Sequence, residues 1–228
     1  MKIEVKFKEI VFFLSIIILL TGCSKDVTEF GFNGAISGIV KDQAGKLVAG
    51  DITSTNLSIK ALGEGDKITI DMRVKGDGTF QNNKQYPKKF KIWVSGPVTM
   101  AEDTLRVDFS STGVIKHDFV VIPFLTIKSP LVVGTPATSS VTVSFEIVPN
   151  GGKVTNLRQL YCSTIPYPNA TTGSGPYYDT KTVSMSTDSG NAVVTGLAPK
   201  TKYYIRVGAR ATGATGLNYS DQIVITTP

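Results

Sequence analysis

A period of two governs this chain after its first two dozen residues. Ile68, Ile70, Met72 and Val74 alternate with polar neighbours. So do Phe90, Ile92 and Val94, then Leu105, Val107 and Phe109, and later Val141, Val143, Phe145 and Ile147. Alternate side chains of an extended backbone point to opposite faces, so each stretch reads as a strand with one face toward a core. Ile36–Val40, Leu57–Leu62, Thr79-Phe80, His117–Ile122, Leu157–Ser163, Thr182–Ser186, Asn191–Thr195 and Tyr219–Thr227 read as further strands. Beyond the leader, apolar residues nowhere recur at i, i+3, i+4 and i+7 over three turns, the spacing of an amphipathic helix. Between the strands stand turn sequences: Asp42-Gln43-Ala44-Gly45, Gly63-Glu64-Gly65-Asp66, Gly76-Asp77-Gly78 and Pro149-Asn150-Gly151-Gly152. Asp-Gly and Asn-Gly suit tight hairpins because they tolerate left-handed backbone. The expected fold is all-β, with two antiparallel β-sandwiches in tandem.

The leader has its own pattern. Lys2, Lys6 and Lys8 precede an apolar run from Ile10 to Leu20, interrupted only by Ser15, and Leu20-Thr21-Gly22-Cys23 follows. A basic start, a short apolar run and a small-residue site make a secretory signal. The run is shorter than the roughly 20 residues of a membrane span. Cysteine directly after Gly22 resembles the lipobox of bacterial lipoproteins, which implies cleavage before Cys23 and lipid on its thiol. Residues 1–22 are then a signal peptide and residues 23–34 a tether. Asp26, close behind the cysteine, resembles the surface-export signal of Bacteroidetes lipoproteins.

Charge and cysteine content narrow the function classes. The chain carries +6, and the leader's three lysines and two glutamates leave +5 on the rest. Lysines and arginines are scattered, with Lys88-Lys89 the densest spot, whereas nucleic-acid binders cluster them on one face. Apart from Cys23 the one cysteine is Cys162, so no intrachain disulfide framework is expected.

Family resemblances sharpen this reading. Gly38-x-Val40-x-Asp42, Gly45, Asp77-Gly78-Thr79-Phe80, Tyr86 and Phe90-x-Ile92 resemble the carboxypeptidase-regulatory-like sandwiches. That resemblance assigns Gly38 and Gly45 to backbone turns and Gly78-Thr79-Phe80 to an edge hairpin. A first domain is expected at 35–122 and a second at 123–228. The short link Phe124-Leu125-Thr126-Ile127, between Pro123 and Pro130, is apolar, which favours packed rather than swinging domains. In the second domain, Leu197-x-Pro199-x-Thr201-x-Tyr203, followed by a strand ending in Val207-x-Ala209, resembles the fibronectin type III corner. Tyr203 would then bond back to the turn backbone. Lipobox, Gly38-x-Val40-x-Asp42, Asp77-Gly78-Thr79-Phe80 and Asp118-Phe119-x-Val121-x-Pro123 together resemble a Bacteroidetes two-domain lipoprotein family of uncharacterised function. Its members are typically encoded beside SusD-like glycan-uptake lipoproteins. The resemblance implies an outer-membrane, surface-facing lipoprotein with SusD-like and TonB-dependent transporter partners.

Residues for catalysis are sparse. The single histidine, His117, has no nucleophile elbow to serve. Cys162 alternates with Leu160 and reads as a buried apolar residue. Glu102-Asp103, Asp66, Asp71 and Asp77 lie on turns among glycines, not as two carboxylates facing across a cleft. Gly76-Asp77-Gly78 lacks calcium-loop spacing, and one histidine with one free cysteine is too few for zinc. No enzyme, metal or cofactor is expected.

Aromatic surface remains. Sugars stack on exposed rings with polar groups beside them. Trp93, between the inward Ile92 and Val94, points outward with Lys91 and Ser95; it could stack on a ligand, cover the domain junction or join the core. The long loop from Ser163 to Asp179 brings Tyr167, Tyr177, Tyr178, Asn169 and Asp179 as ligand-binding candidates, or packs its tyrosines on the sandwich. Asp103-Thr104-Leu105 resembles the O-glycosylation triplet of Bacteroidetes secreted proteins. The expected function is a non-catalytic outer-membrane lipoprotein assisting glycan capture or uptake. The alternative is a structural or interaction lipoprotein, an assembly partner or fimbria-like component, without a small ligand. No nucleic-acid partner is expected.

Overall fold

In the computed structural model, which describes residues 31–51 and 56–228, the alternating stretches are strands, and no helix forms among the described residues. The expected signal peptide, the lipidation at Cys23 and the acidic Asp26 lie outside the described residues. Nine strands come first: β1 (Gly34–Asp42), β2 (Ser58–Gly63), β3 (Ile70–Arg73), β4 (Thr79–Gln85), β5 (Lys89–Ser95), β6 (Val98–Met100), β7 (Leu105–Asp108), β8 (Val114–Lys116) and β9 (Phe119–Pro123). They form two sheets. One runs β4-β1-β9-β6, with β8 also on β1; the other runs β3-β2-β5-β7. Ile36, Phe80 and Phe119 of the first sheet close a core with Ile59, Phe90 and Ile92 of the second.

Most pairings are antiparallel, but β8 and β9 run parallel to β1. The first half of β1 pairs with β8, its last residues with β9, and His117-Asp118 separates the two partners. Gly38 stands at this exchange, where a Cβ would collide with the His117 carbonyl oxygen. It is thus a close-approach glycine in mid-strand and not a turn residue. Gly45, at φ +84°, does serve the turn, which Asp42 closes by accepting from the Ala44 and Lys46 amides at 2.9 and 2.8 Å. The alternation of Ile68–Val74 outruns its strand: β3 starts at Ile70, and Ile68 is 82% exposed.

The remaining strands are β10 (Leu125–Ile127), β11 (Leu131–Val132), β12 (Ser140–Pro149), β13 (Thr155–Ser163), β14 (Thr180–Ser184), β15 (Ser189–Thr195), β16 (Lys202–Ala211), β17 (Asn218–Tyr219) and β18 (Ile223–Thr226). One sheet runs β10-β12-β11 with β15 on β12; its partner runs β14-β13-β16-β17 with β18 on β16. Leu125, Val143, Leu160, Cys162, Ile205 and Val207 lie in a second core. The apolar stretch read as a link is therefore a strand of this sandwich, with Leu125 and Ile127 buried in its core. The corner forms as its residues predict: the Ala198 amide donates to the Tyr203 hydroxyl at 2.9 Å, and that hydroxyl donates to Asp179 at 3.1 Å.

Asn33–Pro228 is one compact unit, and β16 shows why. Its inward residues feed the second core, yet its other face is buried too, at Arg206 and Gly208. Arg206 lies over the Tyr219 ring at 3.8 Å and donates to the carbonyls of Pro168 and Gly50. Tyr219 donates to the buried Asp51 carboxylate at 3.1 Å. Asn218 donates to Pro97 and accepts from Leu125, both at 3.0 Å. Asn56 accepts from and donates to the Leu217 backbone, also at 3.0 Å. Buried polar groups need such partners, and Gly50, Asp51, Pro97 and Asn56 supply them from the first sandwich.

Candidate functional site

The sheet β3-β2-β5-β7 has one face in the core and one toward solvent. On β5, Phe90, Ile92 and Val94 are buried, while Lys89 and Lys91 are exposed and Trp93 is half-buried. Pairing places neighbours in rows across the outer face. Trp93 stands opposite Lys60, and Lys91 stands between Leu62 on β2 and Arg106 on β7. Lys89 stands opposite Asp108, and the Glu64 amide donates to the Lys89 carbonyl at 2.8 Å. The Gly63–Asp66 turn closes this end of the face. A cavity of about 460 Å³ opens here, within the size range of small-ligand sites. Leu62, Glu64, Lys89, Lys91, Arg106 and Asp108 line it on two successive rows, with Asp66 at the turn.

Lys60 binds Asp71 and Lys88 binds Asp66, both at 2.6 Å. The Lys60 and Thr69 hydrogen bonds hold Asp71 below the usual carboxylate range. Hydrogen bonds from Ser110 do the same for Asp108, with Lys89 adding to the effect. Asp77, outside this face, is also shifted down, by its Thr79 bonds acting against desolvation. These shifts are opposite in direction to those of a catalytic acid. No group of three or more histidine, cysteine, aspartate or glutamate residues converges to hold a metal among the described residues.

Trp93 belongs to neither core, so the outward reading from strand period holds. The loop candidates do not come together. Tyr167, at φ +55°, has its amide bonded to Gln222 at 2.7 Å, and its ring packs on Gly76, where a Cβ would lie 2.5 Å from the ring. It lines a second cavity of about 230 Å³ between the sandwiches, with Leu47, Ala49, Asp77, Asp221 and Gln222. Asn169 is 1% exposed, and its side chain accepts from Thr171 to shape the loop's own turn. Asp179 is engaged by Tyr203 and Lys181. Tyr178 packs over Gly175. Tyr177 alone projects fully, at 95% exposure.

The other weighed residues have structural places. His117 packs edge-on against Phe119, with its Nε2 3.6 Å from Glu102. Cys162 is fully buried, and desolvation pushes its thiol up to about 12. The outer-face residues Leu62, Lys89 and Arg106 escape sequence reading because their neighbours come from distant strands. Lys91 alone is placed beside Trp93 by period two.

No protein-family model matches the chain, and no curated protein does. Solved structures share its fold, among them the following three. One, from Bacteroides uniformis and named as a proposed carbohydrate binding protein, is 22% identical with a TM-score of 0.65, covering 85% of this chain and 99% of that one. A DUF3823 family protein from Parabacteroides merdae is 19% identical with a TM-score of 0.65, covering 86% and 98%. A DUF3823 family protein from Bacteroides ovatus is 15% identical with a TM-score of 0.64, covering 86% and 99%. At these identities the likeness is one of fold.

Proposed function

We propose that this chain is a non-catalytic glycan-binding lipoprotein of the outer membrane, anchored through Cys23 and acting in glycan capture or uptake. SusD-like and TonB-dependent transporter proteins would be its partners. The observation that carries the reading is Trp93, half-exposed on the outer sheet face, two residues along β5 from the wall of the 460 Å³ cavity. An indole ring offers a rigid apolar plane for a sugar ring, and the polar groups around it can fix orientation. The name of the Bacteroides uniformis structure points the same way. The lipobox at Leu20–Cys23 supports the anchor.

The test passes the full-length chain, in detergent micelles, over immobilised neutral and acidic polysaccharides. Retention on at least one polymer is expected. Trp93→Ala should weaken it about tenfold or more, since stacking and burial of an aromatic ring contribute on the order of 1–3 kcal/mol. Tyr177→Ala should leave it unchanged. Retention of nothing, or equal retention of the Trp93→Ala chain, would overturn the proposal and leave the interaction-protein reading.

A further inference from the structure

Lys91 and Arg106 stand directly opposite each other on adjacent antiparallel strands, both exposed. Cross-strand neighbours have Cβ atoms roughly 5 Å apart, where like charges repel. Other cations of the face have acidic partners or neighbours: Lys60 pairs with Asp71, Lys88 with Asp66, and Lys89 stands opposite Asp108, whose carboxyl it helps to lower. Among the described residues, Lys91 and Arg106 form no ion pair. On the other side of Lys91 stands Leu62, an apolar residue that neutralises nothing. Both cations line the 460 Å³ cavity, and Trp93 follows Lys91 on the same face.

The geometry points to a sugar bearing an anionic group, a uronate carboxylate or a sulfate ester, as the ligand of this face. The inference rests on the glycan-binding reading and names its substrate class. The anion lies between Lys91 and Arg106, relieving their repulsion and accepting charge-assisted hydrogen bonds from both. The guanidinium fork suits two oxygens of one group, and the ammonium acts as a point charge beside it. The sugar ring extends along the face onto Leu62 and Trp93. Glu64, at the turn, accepts from ring hydroxyls. Each part answers to a feature present: an unbalanced cation pair, an apolar floor, an aromatic plane and an acceptor at the rim.

The experiment uses the full-length chain in detergent micelles. Its affinity is measured for polygalacturonate, for the same polymer with its carboxyls reduced to neutral alcohols, and for dextran sulfate. Binding to one acidic polymer about tenfold or more tighter than to the reduced polymer is expected, and it should weaken as salt rises. Preference for polygalacturonate identifies the carboxylate source, and preference for dextran sulfate the sulfate source. Lys91→Gln with Arg106→Gln should abolish the preference while its melting temperature stays at or above the parent's, because a repulsion has been removed. Lys84→Gln with Lys116→Gln, the same charge change on the other sheet, should keep the preference. Equal affinity for acidic and neutral polymers, or equal loss in both double variants, would overturn the inference. Neutral glycans bound through Trp93 without acidic preference would sink this inference alone. Binding to no glycan would sink the glycan-binding reading as well.

Discussion

Burying Cys162 between Leu160 and the β16 side chains makes the second core sensitive to alkali. The thiol's value rises from 9.0 in the unfolded chain to about 12 when folded, chiefly by desolvation, with Asp179 adding to the rise. A raised value favours the protonated form in the fold. Its contribution is complete below pH 9 and is lost as pH climbs through 12. Three pH units correspond to about 4 kcal/mol at most. Tyr161, pushed from 10.0 to about 12 by burial, acts in the same direction from pH 10 upward. Burial also lowers Arg206 from its ordinary value, against the pull of Tyr219 and Asp51, but a guanidinium keeps its proton, so it adds no titration to this range. Denaturant melts should show stability falling from pH 9 toward 12, and falling less steeply in Cys162→Ala. A parallel decline in that variant would contradict this account. At this scale the sequence was partly transparent. Leu197-x-Pro199-x-Thr201-x-Tyr203 announces its corner because the bond that closes it, from the Ala198 amide to the Tyr203 hydroxyl, spans five residues. Arg206 does not announce its burial: it occupies the solvent phase of an alternating strand, and its cover comes from residues distant in sequence, Pro168 in its own sandwich and Gly50, more than 150 residues away, in the first.

Strand alternation made most elements legible, because one buried face is a local property of sequence. What alternation does not specify is which strands meet. The Lys91–Arg106 row depends on β5 pairing with β7 across the intervening β6, and the parallel contacts of β1 join the two ends of the first sandwich. Leu125–Ile127 looks like a link because three residues carry too little periodicity, yet it is a strand once β12 offers it a partner. Gly38 tests the parallel exchange. Gly38→Ala drives a methyl into the His117 carbonyl, and the same residue's amide is held on the Ser37 carbonyl at 2.9 Å, so the backbone there has little freedom to yield. A loss of about 3 kcal/mol or more is expected from chemical denaturation. Gly113→Ala, with nothing nearer than the Asn33 carbonyl at 3.9 Å, should change stability by less than about 1 kcal/mol. Equal costs at the two positions would contradict the strand exchange described here.

Two cores joined by Arg206, Tyr219, Asn218 and Asn56 should behave as one body. Residues 33–228 are expected to unfold in a single calorimetric transition whose calorimetric and van't Hoff enthalpies agree. Arg206→Met leaves the Gly50 and Pro168 carbonyls without their donor and should separate the transition into two. Two transitions in the parent protein would contradict a rigid junction. Such rigidity leaves the outer face of β3-β2-β5-β7 as a fixed platform, on which the glycan-binding reading depends. Trp93 is the only tryptophan of the chain, so its fluorescence reports that platform without a label. The most direct measurement is a fluorescence titration of the full-length chain with each polysaccharide it retains. A saturable change in indole emission, matching the retention affinity, is the predicted result. Retention with unaltered emission would place the sugar elsewhere and contradict the central claim.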